Sequence, residues 1–293
     1  MFTAVEAEAC RRLLDLALQE DFGENGDLTS LAVIPPNLPG RAALVVRSAG
    51  VVAGLPAAQQ TFSIIDPQLS FQIMLPDGSA VSAGAVLAVV SGSMRSILAG
   101  ERTALNFLQR LSGVATATAL YVKAAANPRC KVLDTRKTTP GWRVLEKYAV
   151  RCGGGHNHRM GLGNGILIKD NHLAALGGGT NAVAEAVRLA RQKYGAAFPL
   201  EIEVDDLIQF DAALAARPDI VLLDNMNPDQ LREAVRRRNA TAPGVQLEAS
   251  GGVTLITIHS IAETGVDRVS VGALTHSAPA LDIGLDYKLD GEW

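Results

Sequence analysis

Seven basic side chains fall between Thr135 and His172: Arg136, Lys137, Arg143, Lys147, Arg151, Arg159 and Lys169. Only Glu146 and Asp170 oppose them, and three of the chain's five histidines, His156, His158 and His172, share the segment. The whole chain is the reverse, with 27 Lys and Arg against 30 Asp and Glu and a net charge of −3. Six glycines, Gly153, Gly154, Gly155, Gly161, Gly163 and Gly165, are interleaved with the cations. A flexible backbone carrying guanidinium and ammonium groups can wrap a phosphorylated or carboxylated ligand. Arginine adds a planar fork that matches a carboxylate or phosphate, which lysine cannot copy. For Arg143, Lys147 and Arg151 the plainer expectation is a solvated basic face.

Two carboxylates further along, Glu203 and Asp224, can reach one Mg²⁺ or hydrogen-bond the vicinal hydroxyls of a sugar. Structural pairing with Lys or Arg is the competing use. Glu201 alternates with Glu203 and faces the same way on a strand, but Glu203 is nearer the strand end, so Glu201 is the second choice there. Near the C-terminus, Ala249-Ser-Gly-Gly252 and Val271-Gly272 each follow an apolar run and precede a helical pattern. Exposed backbone N–H groups at a helix start can bind a phosphate monoester, which makes Ser250, Gly251 and Gly272 candidates.

Elements must hold these groups together. From Lys131 onward, short apolar runs end in polar residues and are followed by helical segments. The runs are Val132-Leu-Asp134, Ile166-Leu-Ile-Lys169, Leu200-Glu-Ile-Glu203, Ile220-Val-Leu-Leu-Asp224, Val245-Gln-Leu-Glu248 and Arg268-Val-Ser-Val271. Such alternation predicts a parallel sheet covered by helices. Six strands with room for a seventh suggest an incomplete α/β barrel, with a doubly wound open sheet as the rival. In a barrel the C-terminal strand ends form the active rim. Asp134, Lys169, Glu203, Asp224 and Ser250 all lie at or just after such ends. Asn227 followed by Pro228 predicts a capped helix start, and residues 180–194 carry a helical apolar face.

The first third differs. Thr3 and Glu6 form a capping-box pattern ahead of a helix that should stop near Glu20. Runs at 43–46, 72–75 and 86–90, broken by Pro and Gly, predict a small sheet with hairpins, and 98–111 predicts a helix. Composition bounds the function. Aromatics at 4% and the acidic balance argue against a nucleic-acid binder. Cys10, Cys130 and Cys152 are odd in number with no CxxC, so no disulfide framework or structural zinc is expected and a reducing cytoplasm fits. No apolar run reaches the roughly 18 residues a membrane helix needs. The glycine fingerprints of dinucleotide and P-loop sites are missing too.

Six ordered stretches carry a family resemblance: Asp134-Thr-Arg-Lys-Thr-Thr-Pro140, Gly153-Gly-Gly-His-Asn-His-Arg159, Ile168-Lys-Asp-Asn-His172, Glu201-Ile-Glu-Val204, Leu223-Asp-Asn-Met226 and Glu248-Ala-Ser-Gly-Gly252. With Gly26-Asp-Leu-Thr29 and Gly100-Glu-Arg-Thr-Ala-Leu-Asn106, they resemble quinolinate phosphoribosyltransferase. The resemblance implies conversion of quinolinate and phosphoribosyl pyrophosphate to nicotinate mononucleotide, CO₂ and pyrophosphate, with Mg²⁺, in NAD biosynthesis. It implies a two-layer α+β N-terminal domain over 1–112, joined by the C-terminal segment 281–293, and an incomplete α/β barrel over 113–280. It also implies a homodimer with shared active sites.

By the same resemblance, Arg136, His158, Arg159 and Lys169 would hold the quinolinate carboxylates, and Arg102 would reach in from the partner subunit. Lys137 would neutralise pyrophosphate. Glu203 and Asp224 would hold ribose hydroxyls and Mg²⁺. Ser250, Gly251, Gly272 and His276 would bind the 5′-phosphate. Two alternatives stay open: a paralogous pyrophosphorylase-like protein of molybdenum-uptake clusters acting on another aromatic acid, and a non-catalytic sugar-phosphate sensor. A lipoyl-like carrier is disfavoured because Asp77-Gly78 has no adjacent lysine.

Overall fold

Helix α1 (Ala4–Phe22) starts where the capping box requires: Thr3 accepts the Glu6 N–H, and Glu6 accepts the Thr3 N–H at 2.6 Å. It runs two residues past the expected stop and ends at Gly23. The computed structural model describes residues 2–287. Asp27 caps α2 (Leu28–Val33). Strands β1 (Pro39–Val46) and β2 (Gly50–Val51) follow, then α3 (Leu55–Ile65), β3 (Ser70–Ile73), β4 (Ala80–Val81) and β5 (Val86–Ser93). Helix α4 (Met94–Ala125) has 32 residues, far longer than the expected 98–111. Its C-terminal half is rich in Ala and Thr, so the leucine spacing that marks its first half fades.

The barrel strands are β6 (Lys131–Leu133), β7 (Ile166–Ile168), β8 (Leu200–Val204), β9 (Ile220–Asp224), β10 (Gln246–Ser250) and β11 (Arg268–Ser270). Between β6 and β7 lies α5 (Arg143–Cys152), and α6 (Asp170–Ala175) and α7 (Gly179–Tyr194) follow β7. The later connections are α8 (Leu207–Ala216), α9 (Pro228–Thr241), α10 (Ile258–Ala262) and α11 (Ala273–His276). Strand β12 (Ile283–Tyr287) ends the described chain. Asn227 accepts the Asp229 and Gln230 N–H groups and Pro228 opens α9, as expected.

The chain divides into two compact units. Among described residues, the first comprises 2–119, 138–154 and 274–287, and the second comprises 120–137 and 155–273. In the first, an antiparallel sheet has the order β12-β1-β5-β3, and β2 pairs with β4. The C-terminal strand therefore returns to β1, in the register Leu44 opposite Leu285. The last residues of the 281–293 segment, 288–293, lie outside the described residues. Leu44, Val46, Leu87 and Val90 of the sheet pack with Phe62 of α3 and Leu105 and Leu108 of α4. Each such side chain fully buried contributes about 1.5–3 kcal/mol. Gly113 lets α4 approach the returning chain, because a Cβ there would lie 2.0 Å from the Pro279 carbonyl oxygen.

One charge expectation fails in this unit. Lys147 is fully buried, as is Glu146, and all of Leu145–Val150 is buried. Helix α5 packs on α1, which takes Lys147 out of the expected solvated basic face, whereas Arg151 is exposed and Arg143 half-buried. Glu146 accepts from Arg110 and from the Thr139 hydroxyl and N–H, and Arg151 pairs with Glu6.

The second unit holds a six-stranded parallel sheet in the order β6-β11-β10-β9-β8-β7. Strands consecutive in sequence are neighbours from β7 to β11, and the first strand, β6, pairs with the last, β11. That cyclic order defines a barrel open at one seam, between β6 and β7. A doubly wound sheet would reverse order at its centre. No helix among the described residues is long and apolar enough to cross a membrane.

Candidate active site

The site is built at the C-terminal ends of the parallel strands. Asp134 follows β6, Lys169 follows β7, Glu203 sits next to last on β8, and Asp224 and Ser250 end β9 and β10. Side chains two apart on one strand share a face, so Glu201 and Glu203 both turn inward, 3% and 8% exposed. So does Glu248, two residues before Ser250, with no exposure at all.

A cavity of about 480 Å³ lies at this rim. It brings together Arg136, Lys137, His158, Arg159, Lys169, Glu203, Asp224, Ser250 and Gly251, nine of the twelve candidate residues. The other three do not line it. Gly272 lies past the end of β11. Arg102, on α4, and His276, whose Nδ1 is 2.6 Å from the Ser277 hydroxyl, are exposed residues of the first unit. Thr135, Leu167, Leu222, Asn225, Glu248, Gly252 and Ser270 complete the lining.

The choice between the two β8 carboxylates is decided by geometry. Glu203 lines the cavity and pairs with Lys169, whereas Glu201 lies deeper, 3.0 Å from His158 Nε2. Burial raises the Glu203 pKa, Lys169 opposes this, and the negative charge of Asp224 adds to it. Asp224 accepts the Asn225 side-chain N–H at 2.7 Å. Two hard carboxylates facing the same space suit Mg²⁺, so this donor set fits the ion the resemblance implies.

Cations crowd the same cavity. Burial lowers the pKa of Arg159, and the like charge of Arg136 lowers it further. Arg159 also donates to the Gly165 carbonyl at 3.1 Å. Guanidinium groups held within reach of each other favour a ligand of more than one negative charge. His158 lies at the inner side, where Arg159 N–H donates to Nδ1 at 2.7 Å and Nε2 faces Glu201. Burial pulls the His158 pKa down, but Glu201 and Glu248 outweigh it and raise it. The Arg159 N–H on Nδ1 leaves Nε2 as the ring's donor toward Glu201.

The glycine turn differs from the expected helix start. Gly251 and Gly252 both have positive φ, +92° and +59°, but α10 begins only at Ile258 and has five residues. The amides on offer are thus those of a turn, a backbone concavity rather than a helix end. Gly251 is also required by Asn225. That residue takes a left-handed φ of +53°, donates its N–H to the Ser250 carbonyl, and places its side-chain oxygen 2.2 Å from where a Gly251 Cβ would stand. Asn225 and Glu248 were missed as site residues. An Asn directly after a strand-end Asp, and a Glu inside an apolar strand two residues before Ser250, were the available signals.

Fold and site together define an α/β-barrel protein whose strand-end cavity gathers four cationic side chains and the carboxylates of Glu203 and Asp224. Residues 27–112 match the quinolinate phosphoribosyl transferase N-terminal domain, and residues 114–286 match the corresponding C-terminal domain. The chain belongs to the quinolinate phosphoribosyltransferase family. It is 43% identical to a nicotinate-nucleotide pyrophosphorylase (carboxylating) of Mycobacterium leprae, over 98% of this chain and 100% of that one. It is 40% identical to a quinolinate phosphoribosyltransferase (decarboxylating) of Nicotiana tabacum, over 96% of this chain and 82% of that one. The structure of the nicotinate-nucleotide pyrophosphorylase from Francisella tularensis superposes with a TM-score of 0.88 at 38% identity, covering 96% and 97% of the two chains.

Proposed function

We propose that the chain transfers the phosphoribosyl group of phosphoribosyl pyrophosphate to the ring nitrogen of quinolinate, with loss of the adjacent carboxyl group as CO₂. The observation that carries this reading is the make-up of one cavity: Arg136, Lys137, Arg159 and Lys169 line it together with Glu203 and Asp224, and Lys169 pairs with Glu203. A dicarboxylate and a pyrophosphate both need the cations. A phosphate sensor would need no carboxylates, and nothing favours another aromatic acid.

In this reading Arg136, Arg159 and Lys169, with His158 behind them, receive the quinolinate carboxylates and present the ring nitrogen to the anomeric carbon. Lys137 stabilises the departing pyrophosphate. Glu203 and Asp224 hold the ribose hydroxyls and, partly through water or substrate, Mg²⁺, which when bound neutralises pyrophosphate charge. Ser250, Gly251, Gly272 and His276 receive the 5′-phosphate. Positive charge develops at the anomeric carbon as the pyrophosphate leaves, beside the two carboxylates. The protein thus acts by positioning and fixed electrostatics, without a nucleophile of its own. After nitrogen is alkylated, the C–C bond to CO₂ breaks, its electron pair stays on the ring carbon beside the cationic nitrogen, and a proton then takes that position. The assay that tests the reading is CO₂ release from quinolinate with and without phosphoribosyl pyrophosphate.

The proposal extends to assembly: a cytoplasmic homodimer with shared active sites. Arg102 enters the partner's site. Arg102→Ala should then dimerise and bind phosphoribosyl pyrophosphate but bind quinolinate poorly. Mixed with Lys169→Ala, it should recover up to about a quarter of wild-type activity, because half the dimers are mixed and one of their two sites carries neither change. If Arg102 served its own chain, every site would keep a lesion; no recovery after verified subunit exchange would remove the shared site.

A further inference from the structure

The segment His156–Arg159 supplies two of the cavity's nitrogen-bearing side chains, yet it belongs to no helix or named strand. Its backbone ties to the edge of β6 include two bonds: His156 N–H donates to the Val132 carbonyl at 2.8 Å, and Asp134 N–H donates to the His156 carbonyl at 3.1 Å. It lies along the open seam of the barrel, and Arg159 reaches across to Gly165, just before β7. A segment outside the regular elements relies on side-chain anchors if its own side chains are to hold a fixed geometry.

We propose that Asp134, Glu201 and Glu248 are positioning residues that anchor this segment and thereby set the pocket's preference for a dicarboxylate. Asp134 is fully buried; it accepts the His158 N–H at 2.9 Å and the Asn157 side-chain N–H at 2.6 Å. Glu201 accepts from His158 Nε2 at 3.0 Å, and Glu248 lies 3.5 Å from the same nitrogen. Arg268 stands 3.7 Å from the far oxygen of Glu248. Thus β8, β10 and the end of β6 each direct an acid at one short segment, and His158 is held at its backbone and its ring.

The surroundings explain why the arrangement is stiff. One oxygen of Glu201 and both of Glu248 are buried without a hydrogen bond. Carboxylates that poorly satisfied lose most when an N–H contact they have is removed. Glu248 also lines the cavity, and bare negative charge there would repel a dianion. The His158 N–H and Arg268 offset that charge. The acids therefore act on substrate through the residues they hold: His158 directly, and Arg159 through its N–H bond to the His158 ring.

This inference rests on the quinolinate reading for its kinetic part. In Asp134→Asn and Glu248→Gln, the KM for quinolinate should rise roughly 10- to 100-fold, the cost of small misplacement at a reacting site. The KM for phosphoribosyl pyrophosphate and the melting temperature should stay close to wild type. Equal rises in both KM values, or an unchanged quinolinate KM, would overturn it. Amide hydrogen exchange gives a readout free of substrate: His156–Arg159 should exchange faster in both variants while the barrel strands do not change. Unchanged exchange there would refute the anchoring even if wild type released no CO₂, whereas faster exchange with an inactive wild type would fault only the quinolinate reading. The His158, Glu201 and Glu248 ligand atoms also lie within 4.8 Å of one another. Stoichiometric zinc or manganese in the purified protein, lost in Glu248→Gln, would make the cluster a cation site and overturn the positioning role.

Discussion

Replacing Asp224 or Glu203 by alanine should lower turnover by on the order of 10²- to 10³-fold, the usual scale for removing one preorganised charge from a reacting centre. Both stand at barrel strand ends around one cavity, and the negative charge of Asp224 helps raise the Glu203 pKa. Their loss should weaken binding of phosphoribosyl pyrophosphate with Mg²⁺ more than binding of quinolinate, which lies with the cations. Glu203→Ala also deprives Lys169 of its ion-pair partner, so that variant should shift quinolinate affinity more than Asp224→Ala does. Steady-state kinetics and Mg²⁺ titrations of both variants separate these effects. Unchanged Mg²⁺ dependence would refute the assignment.

Arg136→Lys and Arg159→Lys should each weaken quinolinate binding by about 1.5–3 kcal/mol, roughly ten- to a hundred-fold, while the fold stays intact. Charge is conserved, but the planar fork is lost. Arg159 carries a second duty, donating to the Gly165 carbonyl, and a single ammonium without the fork cannot serve both places. Arg159→Lys should therefore be the more damaging of the two. Calorimetric titration with quinolinate measures this directly, and near-normal affinity in both variants would take these residues out of the acid-binding wall.

Much of the site was legible because strand ends can be read from apolar runs. Lys169, Glu203, Asp224 and Ser250 needed only the rule that barrel chemistry sits at C-terminal strand ends, and β9 occupies Ile220–Asp224 as expected. The choice of Glu203 over Glu201 also followed from distance to the strand end. Other features depend on tertiary packing that no local pattern encodes. Lys147 looks like a surface cation by type and neighbours, and only the packing of α5 on α1 buries it. The later start of α10 was hidden because Val253-Thr-Leu-Ile256 reads as helical by apolar content. Glu248 was passed over as a mere strand terminus, although the strand continues to Ser250 and turns both side chains inward. Its partner His158 is 90 residues away in sequence, and no spacing rule links them.

The family resemblance supplied what pattern could not, above all Arg102, whose place on α4 says nothing of an active site. It also named the aromatic acid, where the residues alone reach only a multiply anionic ligand.

The central claim is that this chain couples phosphoribosyl transfer to decarboxylation of quinolinate. Its most direct test uses quinolinate labelled in the carboxyl group next to the ring nitrogen, incubated with the purified protein and Mg²⁺. Labelled CO₂ should appear only when phosphoribosyl pyrophosphate is added, in step with pyrophosphate and nicotinate mononucleotide, and Asp224→Ala should abolish most of it. Release without phosphoribosyl pyrophosphate, or pyrophosphate formation with the label retained in the nucleotide, would contradict the account.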